Sequence, residues 1–94
     1  MNSILQPKTD EIEISDVVRG LLERRVRYFA KLGVNANFTN RDHAMIERTM
    51  MDHRDASAET MMTAAAFVMA QIERPFTEKA KQYAAHRVAQ VGRA

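Results

Sequence analysis

Apolar residues recur at three- and four-residue spacing along most of the chain, and this recurrence predicts helices. Between about residues 10 and 32 the stripe runs through Ile14, Val17, Val18, Leu21, Leu22, Tyr28, Phe29 and Leu32. Asp10 with Glu13, or Ser15 alone, is placed to cap this helix, and Gly33 to stop it, because glycine enters the left-handed region without a Cβ clash. Val34 to Thr39, with Asn35 and Asn37, reads as a loop. Thr39 and Asp42 have the spacing of a capping box, with Asn40 as the alternative cap, and a second helix is expected over 40–54. Asp55 to Ser57 interrupts it. Ser57, with Glu59 in the first turn, opens a third helix over 57–73. Pro75 suits the first turn of a fourth helix over 75–91, with Phe76, Ala80, Tyr83, Ala84, Val88 and Val91 on one stripe and Gly92 at its end.

The expected architecture is therefore all-α, a bundle of about four helices forming one domain over 1–94, with residues 1–9 as an extended arm. The third helix is apolar nearly all round, from Ala58, Met61 and Met62 to Val68, Met69 and Ile72. A helix of that kind is expected to be buried, so the third is predicted to be the central element of the bundle.

Composition mainly removes possibilities. The 94 residues are 46% hydrophobic and 28% charged, with no cysteine, which excludes disulfides, thiolate nucleophiles and cysteine-based metal sites. No cofactor and no metal site is expected. His43 and Glu47 stand four apart on one face of the second helix, but Asp52 and His53 point elsewhere, and no Glu-x-x-His occurs. Ser3 and Ser57 offer no triad, and Gly20, Gly33 and Gly92 form no phosphate cradle. Residues 1–10 lack the apolar run of a signal peptide, and the uncharged stretch 60–72 is short of the ~20 residues a membrane span needs. A cytoplasmic location is expected.

The net charge is only +2, but its distribution is uneven. Asp10, Glu11, Glu13 and Asp16 precede Arg19, Arg24, Arg25, Arg27 and Lys31 on the first helix, and Arg74, Lys79, Lys81, Arg87 and Arg93 dominate the C-terminal segment. Acids toward an N-terminus and bases toward a C-terminus complement the helix dipole. Arg19, Arg24, Arg27 and Lys31 could also contact phosphate or another anion, which makes a nucleic-acid-associated protein the alternative function. The second and third helices do not read as a helix-turn-helix, since the would-be recognition helix offers methionine and alanine where base contacts need polar side chains.

Arg25 falls in the middle of the first apolar stripe, so it requires a carboxylate, an anion or a partner. The run Leu21-Leu22-Glu23-Arg24-Arg25, followed by Arg41-Asp42 opening the second helix, resembles the all-helical chorismate mutase pattern. That resemblance implies a first-helix arginine and a charged pair on the second helix holding a dicarboxylate, and it defines a weaker alternative, a small-anion enzyme. The lysine this family places about three turns later would fall near Ala36, and no lysine lies between Lys31 and Lys79, so mutase activity is not expected.

Apart from Met1, all of the 7 methionines lie between Met45 and Met69. Methionine fills cores adaptably and also lines surfaces that repack against partner helices. With so much apolar surface on four short helices, the leading expectation is a small non-catalytic interaction protein. It would act as a regulator, adaptor or inhibitor of a bacterial or mobile-element accessory type, as a homodimer, with Arg25, Met50, Met51, Met61 and Met62 meeting the partner.

Overall fold

The computed structural model describes residues 13–93 as three helices, α1 (Ile14–Lys31), α2 (Asn40–Asp52) and α3 (Ala58–Arg93). The expected arm over 1–9 and the Asp10 cap lie outside the described residues. Glu13 occupies the N-cap of α1 without a side-chain capping bond, and Ser15 sits inside the first turn. At the other end the chain closes in a Schellman motif. The Val34 amide donates to the Phe29 carbonyl at 2.9 Å and the Gly33 amide to that of Ala30 at 3.0 Å, with Gly33 at φ 83°. The apolar contact that accompanies such motifs is present too, since Phe29 and Val34 share one buried cluster.

The segment after Gly33 is a loop with a two-residue alternation. Val34 and Ala36 are buried, Phe38 is half-buried, and Asn35 and Asn37 face water. Thr39 then forms the expected capping box, its hydroxyl accepting from the Asp42 amide at 3.1 Å while the Asp42 carboxylate accepts from the Thr39 amide at 3.0 Å. Ser57 caps α3 by accepting from the Thr60 amide at 3.1 Å.

The larger departure from expectation is the fusion of the third and fourth helices into one 36-residue helix, with Pro75 inside it. Proline lacks the N–H that would reach the Gln71 carbonyl, a loss that usually breaks a helix. Here Gln71, Arg74 and Pro75 are all exposed, so water can reach the orphaned carbonyl. The residues flanking the proline on the inner face are both held by α1. Glu73 pairs with Arg25, and Phe76 stacks edge-on against Phe29 at 5.8 Å and Phe38 at 5.4 Å. Breaking the helix between them would give up one anchor or the other.

Two buried clusters hold the helices together. Val18, Leu22, Ile46, Met50, Ala65 and Met69 join all three at one end, and Phe29, Val34 and Ala36, capped by Phe38, Phe76 and Ala80, form the second. The Met/Ala helix is not the buried central element expected. Ala65 and Met69 are buried, whereas Met62 and Phe67 are 42% and 68% exposed. Two neighbours can cover one side of a helix, and the segment expected to return over the other side continues the same helix instead. The radius of gyration is 17.8 Å, against about 12 Å for a compact chain of this length, and the extents are 68 × 23 × 23 Å. None of the described helices is long and apolar enough to cross a membrane.

Candidate functional site

Arg25 is the charged residue that the apolar stripe of α1 carries inward. Its Nε and Nη2 donate to the two carboxylate oxygens of Glu73 at 2.5 and 3.0 Å, a bidentate pair linking α1 to α3. Glu73 is 6% exposed, while the Arg25 side chain keeps about a third of its surface in water (34%). The guanidinium also lies 4.4 Å from the Tyr28 ring centroid and 5.4 Å from that of Phe29. The hydrogen bonds that Arg25 donates to Glu73 raise the Arg25 pKa above its ordinary value, outweighing the lowering that burial produces. The sequence requirement that Arg25 find an anion is therefore met inside the chain.

The other residues expected to meet a partner separate into two groups. Met50 is 2% exposed and Met61 half-buried, both in the first apolar cluster, so neither presents a surface in this fold. Met51 and Met62 are 47% and 42% exposed. Met51 lies on the outer face of α2 beside Met45, Arg41 and Arg48, along a shallow hollow of about 510 Å³. Met62 starts a different surface. Ala66 and Ala70 follow it at four-residue steps on α3, with Thr63 and Phe67 on the adjoining ridge, all exposed. Between Thr60 and Ile72 this helix carries no charged residue.

Of the four basic residues expected to contact phosphate or another anion, Arg24, Arg27 and Lys31 share one exposed face of α1 at three- and four-residue spacing. Arg19 lies apart from them and is engaged by Asp16 at 2.6 Å. No ion pair among the described residues involves the other three.

Compared with protein-family models, curated proteins and solved structures, the chain matches none. Its own geometry therefore carries the functional argument.

Among the described residues no three of His, Cys, Asp and Glu come together as metal ligands would. His43 instead ties α2 to α1, its Nε2 donating to the Ser15 carbonyl at 3.2 Å, with Glu47 3.5 Å from Nδ1.

The feature that sequence reasoning missed is an open groove between the C-terminal half of α1 and the middle of α3. It measures about 480 Å³ and is walled by Tyr28, Phe29 and Leu32 on one side and Thr77, Ala80 and Ala84 on the other. Leu32 is 36% and Tyr28 47% exposed. The signal for it lay in the stripe Ala80, Ala84, Val88 and Val91, which runs on past the point where α1 stops.

Proposed function

We propose that the protein is a non-catalytic helical interaction protein that works by binding other proteins, and that it does so as a homodimer joined through the Met62–Ala70 face of α3. The observation that carries this reading is Phe67, a large apolar side chain 68% exposed in the middle of an uncharged helix face. Ala66 and Ala70 are small enough for a second helix to lie close, and Met62 adapts to what it meets. A face without charge can meet its own copy about a twofold axis with no like-charge repulsion and no charge to desolvate. Sedimentation velocity over a concentration series tests this reading. The expected result is a particle of twice the chain mass that reverts to the monomer in a Phe67→Asp variant of unchanged helix content. A wild-type protein that stays monomeric at the highest attainable concentration would overturn it.

A further inference from the structure

We infer that the groove between α1 and α3, extended along the projecting end of α3, is the docking site for an acidic amphipathic helix of a partner protein. This rests on the reading of the chain as an interaction protein, and it places the partner farther along α3 than the segment assigned to the dimer. The projecting part supplies the length. From Thr77 to Val91 the stripe covers about 21 Å, four turns of helix, and every residue from Lys81 to Val91 is exposed. Val88 and Val91 are each 70% exposed and continue the α3 wall of the groove beyond the reach of Leu32. Ala80 and Ala84 lie between the aromatic wall and these valines, leaving room for another helix to approach.

Charge selects the occupant. Residues 24–31 and 73–91 together hold eight basic side chains and two acidic ones, whereas the remainder of the chain holds six basic and ten acidic. Both acids at the basic end are engaged, Glu73 by Arg25 and Glu78 by Lys81 at 3.9 Å. The bases interleave with the apolar stripe at helical spacing. Arg24 and Lys31 bracket Tyr28 on α1, and Lys81 and Arg87 bracket Ala84 on α3. A second copy offering the same end would set basic rim against basic rim, which disfavours self-pairing here. A nucleic acid would match the charge but would leave the valines, Leu32 and the Tyr28 ring without apolar contact. An acidic amphipathic helix satisfies both the rim and the stripe.

The test uses labelled peptides of about 14 residues, the length that spans the groove. One carries leucines at i, i+3, i+4 and i+7 with glutamates on the flanks, one replaces the glutamates by lysines, and one scrambles the acidic sequence. Fluorescence anisotropy with the full chain is expected to show saturable binding of the first peptide and binding weaker by about tenfold or more for the other two. Val88→Glu, at an exposed position that leaves the fold intact by circular dichroism, should abolish the binding. A Lys81→Glu, Arg87→Glu variant should reverse the preference toward the lysine peptide. Equal binding of the scrambled acidic peptide, displacement of the peptide by a short DNA duplex at lower concentration than by unlabelled peptide, or no binding at all would each overturn the inference. Particle mass separates this surface from the dimer. Phe67→Asp should alter mass and spare peptide binding, and Val88→Glu should do the opposite. A loss of mass in Val88→Glu would mean that a second copy holds the groove, and would also overturn the inference.

Discussion

The two parts of α3 share one helix and differ in what covers them. From Ala58 to Ala80 the inner face meets α1 and α2, with Ala65, Met69 and Glu73 buried. From Lys81 to Val91 no residue is buried, although the apolar stripe continues through Ala84, Val88 and Val91. A helical segment of that length is marginal in water on its own, since nucleation is costly and packing supplies most helical stability in proteins. The second part is helical because it grows from the first, and its stripe is surface that the other described residues leave uncovered. Apolar periodicity thus reports which face of a helix seeks cover, without saying whether the cover is intramolecular.

The contrast is sharpest for paired truncations. Met69→Ala removes a side chain that is 8% exposed within the three-helix cluster, and is expected to cost about 2–5 kcal/mol. Val88→Ala, at 70% exposure, is expected to change stability by less than about 0.5 kcal/mol. Urea denaturation of the two variants at low protein concentration measures both. Comparable losses would mean that the projecting part is packed in solution and that the two parts do not differ.

Much of the inner structure was legible in the sequence because it is encoded locally. The Thr39/Asp42 box, the Gly33 stop, the Ser57 cap and the inward-facing Arg25 depend on residues within a few positions of one another. What was not legible depends on distant partners. Glu73 was not identifiable as the counter-ion of Arg25, because nothing local distinguishes a buried glutamate from an exposed one. Pro75 was a sound start signal for a helix by local rules, and was overridden by anchors at Glu73 and Phe76 that both come from α1. The groove escaped notice for a related reason, since one of its walls exists only if α3 passes through Pro75 unbroken.

The Arg25–Glu73 pair sits at the junction of the two parts and makes an asymmetric prediction. Arg25→Ala leaves a carboxylate that is 6% exposed without its partner, at an expected cost of about 2–4 kcal/mol, reduced from the value for a wholly buried pair because Arg25 is a third exposed. Glu73→Ala frees a guanidinium that can turn into water, so about 1–2 kcal/mol is expected. Since Glu73 raises the Arg25 pKa, the guanidinium's share of this stability is lost as the pH rises through its own range, in strong alkali. Denaturant midpoints of the two variants check the ordering, and a larger loss for Glu73→Ala would show that Arg25 is the less accessible partner.

Pro75 gives a small effect and the one of opposite sign. Inside a continuous helix it withholds a hydrogen bond from the Gln71 carbonyl and carries a propensity cost of about 3 kcal/mol relative to alanine. Exposure of Gln71 and Pro75 lets water recover part of that loss, and proline also restricts the unfolded chain, which alanine does not. The net expectation for Pro75→Ala is therefore a gain of about 1–2 kcal/mol, read as a raised melting temperature with slightly increased helical ellipticity. If the chain instead broke at Arg74 and began a new helix at the proline, Pro75 would occupy a position that favours it, and the same substitution would lower the melting temperature. The sign of this one shift therefore distinguishes a single continuous helix, whose far end no other described helix covers, from a fourth helix free to fold back over the first part.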